Sequence, residues 1–193
     1  ESPVFSGDGK EIYYSKNNGV SYDIYKFEIS SGINRNISNN GCNDLSPTLS
    51  FDGTKFFFLS DEAQSGKYDL YWMDLDGGSR TRLTTGLSIE KGSINISPDN
   101  SMAAFITVGD KGSKSIHIID MKKKAIMVSG GGYISAWSND SQKLYFASSS
   151  EGKSKIVEFD TESNDMKDVL SLDIKPGGEA ETIKFLHFTE KLK

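Results

Sequence analysis

One stretch decides the fold: Ser50–Ser60, which reads SFDGTKFFFLS. Its beginning has the composition of a strand end followed by a tight turn, and Lys55–Ser60 has the composition of a second strand. The carboxylate of Asp52 can accept hydrogen bonds from backbone N–H groups two or three residues on, and Gly53 tolerates the left-handed conformation that a short hairpin needs. The stretch therefore predicts a β-hairpin.

The same pattern occurs four times. Asp8, Asp52, Asp99 and Asp140 occupy the equivalent turn position, at successive spacings of 44, 47 and 41 residues. A serine lies two residues before each aspartate, and an aromatic residue lies six residues after it. A period of about 40–45 residues is the size of one four-stranded propeller blade. The serines are Ser6, Ser50, Ser97 and Ser138, and the aromatic residues are Tyr14, Phe58, Phe105 and Phe146.

A second acidic position closes each repeat, 20 to 22 residues after the turn aspartate; it is occupied by Glu28, Asp74, Asp120 and Asp160. A large apolar residue precedes each of these acids. The aromatic residues of the predicted second strands, such as Tyr13, Tyr14 and Phe56–Phe58, are expected to fill the core between blades. No stretch has a period of 3.6 residues, so helix content should be near zero.

These repeats predict an all-β protein, a β-propeller built from four-stranded antiparallel blades. Four complete blades are expected at about 1–40, 41–86, 87–130 and 131–178, and 179–193 would begin a fifth with its inner strand at Lys184–Thr189. The whole chain, 1–193, is interpreted as a single propeller domain that is open, or part of a larger propeller. Two alternatives remain: the fifth inner strand closes a small ring, or another copy or another protein covers the open edges.

Composition excludes several function classes. The chain has 193 residues and a net charge of −5 without a basic block, which argues against a nucleic-acid partner. It has no apolar run of eighteen residues, so no membrane-spanning helix is predicted. The chain starts at Glu1 and passes directly into the first repeat, so no signal peptide is predicted either.

No catalytic, metal or cofactor site is predicted. His117 and His187 lie in predicted strands of different repeats, without a second histidine nearby, so structural or surface roles are favoured. The chain contains no Gly-x-Ser-x-Gly motif of a serine hydrolase. The triple glycine at 130–132 precedes a predicted strand, whereas a phosphate-binding loop needs a helix there.

The chain direction reverses at every strand of a blade, so the loops between second and third strands emerge on the same face as the blade-to-blade connections. These are the long segments of this sequence, and long loops on a rigid scaffold are the usual binding surface. We therefore expect a partner to bind this loop-rich face. The candidate binding residues, expected near the axial channel, are Asn39, Asn43, Asp44, Glu90, Lys91 and Tyr133.

The repeat resembles the WD40-like PD40 repeat of the TolB-type β-propeller family. The residues that carry the resemblance include Ser97-Pro98-Asp99-Asn100, Tyr68-Asp69-Leu70-Tyr71, Asp76-Gly77-Gly78 and Leu83-Thr84. The resemblance implies a non-catalytic protein–protein interaction scaffold of the bacterial cell envelope, periplasmic or otherwise extracytoplasmic. Its partner would be another envelope protein or a peptide, with association through open blade edges as a further mode.

The same family resemblance leaves two other functions open. Propellers of this kind also accompany prolyl-oligopeptidase-like catalytic domains, where the propeller controls substrate access. A carbohydrate-binding propeller is the third interpretation. A Gly-x-Ser-x-Gly motif downstream in the parent gene would favour the peptidase, and stabilisation by glycans would favour the sugar binder.

Overall fold

Each repeat forms its own antiparallel sheet. The computed structural model describes residues 1–133, 135–150 and 153–173. Its four sheets each contain four strands in sequence order, as the repeats predict. One short 3₁₀ turn, Asp110–Gly112, interrupts the β structure inside a predicted loop.

The strands lie where the repeat places them. Blade 1 contains β1 (Val4–Phe5), β2 (Glu11–Asn17), β3 (Tyr22–Glu28) and β4 (Asn34–Asn36). Blade 2 contains β5 (Asp44–Leu49), β6 (Lys55–Ser60), β7 (Asp69–Asp74) and β8 (Thr81–Arg82). Blade 3 contains β9 (Asn95–Ile96), β10 (Met102–Val108), β11 (Lys114–Asp120) and β12 (Ala125–Gly131). Blade 4 contains β13 (Ser135–Trp137), β14 (Lys143–Ser150), β15 (Lys153–Asp160) and β16 (Met166–Asp173).

The architecture confirms the predicted all-β fold of antiparallel blades, as an open or partial propeller. That the whole chain forms one domain remains a prediction. Residues 174–193, which include the predicted inner strand Lys184–Thr189, lie outside the described residues.

The serine and aspartate of each turn form one repeated hydrogen-bonded unit. Ser50 Oγ donates to Asp52 Oδ1 over 2.7 Å and accepts the Lys55 N–H over 3.0 Å. Asp52 Oδ1 also accepts the Thr54 N–H over 3.0 Å. The other three turns contain the same three hydrogen bonds. The turn aspartates therefore stabilise the hairpins.

The core lies between blades. Successive side chains of a strand point to opposite faces, so β6 supplies two interfaces. Phe56 and Phe58 pack with Ile24 of blade 1, whereas Phe57 and Leu59 pack with Phe105 of blade 3. A third cluster joins blades 3 and 4 around Ala104, Ile116, Ile118, Leu144 and Phe146. Stacking of blades thus buries apolar side chains on both faces of the two middle sheets.

Tyr14 departs from the predicted core. Phe58, Phe105 and Phe146 are at most 1% exposed, whereas Tyr14 at the same repeat position is only half-buried. The reason is the position of blade 1 at the end of the array. Side chains of β2 that point towards blade 2, such as Tyr13, are buried, and Tyr14 points the other way.

Candidate functional site

The connection from blade 2 to blade 3 runs along the inner side of β10 on the loop-rich face. The Glu90 N–H donates to the Ile106 carbonyl over 2.8 Å, and the Val108 N–H donates to the Ser88 carbonyl over 2.9 Å. Ile89 forms a β-bridge with Thr107 between these two bonds. The blade therefore holds the connection as a short extra strand segment, which fixes the position of Glu90.

A groove of about 660 Å³ opens beside this connection, at the boundary of blades 3 and 4. Three predicted site residues, Glu90, Lys91 and Tyr133, line it. The structure thus brings half of the predicted set together in one concave surface. The remaining lining residues are Gly92, Ser93, Ile94, Asn95, Ile106, Lys114 and Ser135.

The groove carries both signs of charge and an accessible aromatic ring. Lys114 Nζ donates to Glu90 Oε1 over 2.5 Å, and each of these side chains is about one-third exposed. The same Nζ lies 5.9 Å from the centroid of the Tyr133 ring, which is 46% exposed. Lys91 is exposed, and its Nζ lies 5.2 Å from the ring of Tyr68. The groove therefore offers cations, a carboxylate and a ring face to a ligand.

Hydrogen bonds between blades fix the floor of the groove. Asn95 Nδ2 donates to the Ser135 carbonyl over 2.8 Å, and Trp137 Nε1 donates to the Asn95 carbonyl over 3.0 Å. Ser93 Oγ accepts the Ile106 N–H and donates to the Glu90 carbonyl. The bonds of Asn95 and Trp137 join the inner strands of blades 3 and 4, and the bonds of Ser93 hold the connection against β10, so the groove is a preformed feature.

The sequence prediction omitted Lys114 and Asn95. Lys114 is the first residue of β11, directly after a loop between second and third strands, so the sequence placed it beside the loop-rich face without identifying it as a site residue. Asn95 lies on a short inner strand, and only the contact with blade 4 identifies its role.

Of the other three predicted residues, Asn39 and Asn43 lie in the connection between blades 1 and 2 and Asp44 begins β5, and none of the three lines the groove. Asn39 is exposed at φ 23°. Asn43 is half-buried and binds Asp61 through its N–H and Nδ2, over 2.7 and 3.0 Å. Asn43 thereby ties the connection to the β6–β7 loop.

Asp44 requires a correction, because it is 0% exposed and offers nothing to a partner. It pairs with Ser60 in the sheet, and its carboxylate points inward to Arg80, whose guanidinium donates to it over 3.0 Å. Burial raises the pKa of Asp44, and the ion pair with Arg80 opposes that shift. Asp44 therefore stabilises the start of β5 and the adjacent connection through its buried ion pair with Arg80.

Among the residues described, no three His, Cys, Asp or Glu side chains are grouped to hold a metal ion. His117 Nε2 lies 2.8 Å from Thr107 Oγ1, and its ring stacks on Phe105 at a centroid distance of 5.7 Å. His187 is outside the described residues. In the described part of the chain, no helix has the length and apolar character needed to cross a membrane.

Comparison with known proteins places the chain in a family. The sequence profile of the TolB beta propeller domain, PD40, matches residues 1–130. The chain belongs to this TolB beta propeller family. The match thus covers blades 1 to 3 up to Gly130, and blade 4 repeats the same strand and turn pattern outside the matched region.

A curated relative is the Tol-Pal system protein TolB of Francisella tularensis subsp. tularensis (strain WY96-3418), which is 32% identical over 83 residues. That match covers 43% of this chain and 19% of the relative. The chain thus spans about a fifth of the length of the curated relatives it matches.

Solved structures confirm the fold. TolB from Acinetobacter baumannii superposes with a TM-score of 0.67 at 21% identity, over 86% of this PD40 chain and 41% of that one. A puromycin-hydrolyzing peptidase of Mycobacterium tuberculosis superposes with a TM-score of 0.63 at 16% identity, over 86% and 28%. At sequence identities this low, the structural similarity to the peptidase and to TolB shows only that the fold is shared.

Proposed function

We propose that this chain is a non-catalytic interaction module of the bacterial cell envelope, in the periplasm or another extracytoplasmic compartment. Its partner is an envelope protein or a peptide segment of one, bound at the loop-rich face. Membership of the TolB propeller family and the likeness to a Tol-Pal system protein support this assignment. The observation that carries it is the preformed groove between blades 3 and 4.

The chemistry of the groove favours an extended peptide with an acidic group beside an apolar side chain. The exposed Lys91 ammonium can receive a carboxylate, and the Tyr133 ring can pack against an apolar or aromatic side chain. Lys114 is already paired with Glu90, so a ligand carboxylate competes with Glu90 for it. Binding should therefore weaken with salt, as expected for exposed charges.

A pull-down from envelope extracts tests this assignment. The groove variant combines Lys91→Glu with Tyr133→Ser, two exposed positions whose replacement leaves the core intact. The wild type is expected to retain a specific envelope protein, and the groove variant is expected to retain at least tenfold less of it. A tenfold loss of affinity corresponds to about 1.4 kcal/mol.

The matched control combines Lys10→Glu with Phe51→Ser on the opposite, short-turn face. It also replaces one exposed lysine and one exposed aromatic residue, with side-chain exposure of 78% for Lys10 and residue exposure of 67% for Phe51. The control should retain the partner fully. Equal retention by the wild type and the groove variant would refute the assigned face.

A further inference from the structure

A second, smaller cleft of about 330 Å³ lies between blades 2 and 3 on the short-turn face, opposite to the groove. We call it the lysine cleft. Phe57 lines it from the core and is 2% exposed, and the half-buried side chains of Trp72 and Met121 complete its apolar wall. The remaining lining residues are Ser50, Asp52, Lys55, Asn100, Ser101 and Lys122.

Two lysines, Lys55 and Lys122, bring positive charge into this cleft. Lys55 Nζ lies 4.9 Å from the centroid of the Trp72 ring and 3.9 Å from a carboxylate oxygen of Asp74, which is 70% exposed. An ion pair so long and so exposed contributes little. Lys122 is exposed, and within residues 1–133, 135–150 and 153–173 its ammonium group forms no ion pair. The cleft therefore contains one weakly paired cation and one cation without an acid.

The equivalent space between blades 1 and 2 contains acids at these positions. Glu11 occupies the repeat position of Lys55 there. Asp76 occupies the repeat position of Lys122. Lys26 Nζ lies 2.6 Å from a carboxylate oxygen of Glu11 and 3.9 Å from one of Asp76. At that boundary the chain itself supplies the negative charge that meets the cation.

The lysine at 122 distinguishes the boundary of blades 2 and 3 from the other two. The residue two positions after the closing acid of a repeat is Asp76 in blade 2, Lys122 in blade 3 and Glu162 in blade 4. Two lysines therefore line one cleft at this boundary, and their like charges repel each other. An anion bound between them would remove this repulsion.

The neutral polar groups of the lysine cleft also favour a ligand that accepts hydrogen bonds. Asn100 Oδ1 accepts the Phe51 N–H over 2.7 Å, so Nδ2 is the part of its amide that can bind a ligand, as a donor. Asp52 Oδ1 accepts the Ser50 hydroxyl over 2.7 Å and the Thr54 N–H over 3.0 Å, which holds this carboxylate in its own turn.

We propose that the lysine cleft binds a small organic anion with a flat apolar body. The acidic head of the ligand binds Lys55 and Lys122, and its body packs against Trp72 and Met121. The cleft lies at the lower end of the size range of ligand pockets, about 300–1,000 Å³, which favours a small molecule over a protein segment. Since the groove lies on the opposite face, this site is separate from the proposed partner site.

An NMR titration of the full chain with cinnamate, a flat carboxylate, tests the proposal. The indole N–H signals of the two tryptophans report on separate places, Trp72 on the lysine cleft and Trp137 on the floor of the groove. The Trp72 signal should shift saturably, and the Trp137 signal should stay in place. Cinnamamide keeps the body without the charge and acetate keeps the charge without the body, so each should bind about tenfold more weakly.

Two lysine variants of the same turn show whether the cleft itself binds the anion. Lys122→Gln should weaken cinnamate binding about tenfold, because it removes one charge-assisted hydrogen bond. The matched control Lys123→Gln removes the same charge from a side chain that is 77% exposed and lies 3.3 Å from Asp120, and it should bind as the wild type does. Equal weakening by both variants, equal binding of cinnamate and cinnamamide, or no shift of the Trp72 signal at millimolar cinnamate would overturn the proposal.

Discussion

At the residue scale, the fourth residue of each turn differs between blades according to whether its side chain bonds to the adjacent blade. This residue has positive φ in every blade, between 60° and 70° for Gly9, Gly53, Asn100 and Ser141. Asn100 accepts the Phe51 N–H of blade 2 over 2.7 Å, and Ser141 accepts the Asp99 N–H of blade 3 over 3.0 Å. The side chains at 100 and 141 thus join adjacent turns. Their left-handed backbone is less favourable than it would be for glycine.

Replacing Ser141 separates these two effects. Ser141→Ala keeps the strained backbone and loses the bond to Asp99, so we expect a loss of about 1–2 kcal/mol in the free energy of unfolding. Ser141→Gly loses the same bond but relieves the backbone, so its loss should be smaller. Urea unfolding measures both variants. Equal losses, or a larger loss for glycine, would contradict the assigned role.

A second residue-scale prediction concerns pH. Burial lowers the pKa of His117 below its ordinary value, and its Nδ1 is buried without a hydrogen-bond partner. The unfolded chain therefore binds a proton more readily than the folded chain. The stability that neutral His117 contributes is fully present above the unfolded pKa of about 6.5, and it falls as the pH drops below that value.

The His117→Gln variant is the control for this pH dependence, since glutamine does not titrate. Unfolding temperatures measured between neutral and mildly acidic pH should decrease more steeply for the wild type than for the variant. If the unfolding temperatures of the two proteins decreased equally with falling pH, His117 would be excluded as the cause of this pH dependence.

At the element scale, Arg80 connects separate parts of the array. It stands just before β8, donates to Asp44 at the start of β5 and to the Ser38 carbonyl, and pairs with Glu62 over 3.3 Å. Its guanidinium lies 5.3 Å from the centroid of the Phe58 ring. One side chain thereby fixes the connection between blades 1 and 2 against the β6–β7 loop.

Arg80→Met should be strongly destabilising because it leaves the Asp44 carboxylate buried without its cation. We expect a loss of about 3–5 kcal/mol in the free energy of unfolding. The matched control is Arg35→Met, since Arg35 is 64% exposed and lies 4.0 Å from Glu28. Its loss should be no more than about 1 kcal/mol. Chemical denaturation checks both, and similar losses would contradict this account of Arg80.

The sequence predicts the strands well and the site only in part. β6 begins and ends at the predicted residues Lys55 and Ser60, because the hairpin turn and the strand composition are local signals. Asp44 was misjudged because its partner Arg80 lies 36 residues away, and Lys114 and Asn95 gain importance only through contacts between blades. Local patterns therefore determine each blade, and contacts between blades determine the groove.

At the scale of the whole molecule, stability depends on a blade's place in the array. Phe58 and Tyr14 occupy the same position of the repeat, but Phe58 lies between two blades and Tyr14 lies on the face of blade 1 that points away from blade 2. Large inter-blade side chains should therefore matter more than their equivalents at the end of the array.

The pair Phe58→Ala and Tyr14→Ala tests this difference. Phe58→Ala should cost about 3–5 kcal/mol because it leaves a cavity. Tyr14→Ala should cost only about 1 kcal/mol, since its ring is partly in water. Both values come from urea unfolding at a concentration where the chain is monomeric. Equal losses in the free energy of unfolding would show that packing between blades does not make Phe58 more important for stability than Tyr14.

Partner binding at the groove is the central functional claim, and site-specific photo-crosslinking in envelope-containing cells tests it most directly. A photoreactive phenylalanine analogue replaces Tyr133 in the groove or, in a separate protein, Phe51 on the short-turn face; both side chains are accessible. We predict a discrete adduct with an envelope protein from position 133 and none from position 51. An adduct from position 51 alone, or from neither position, would contradict the claim.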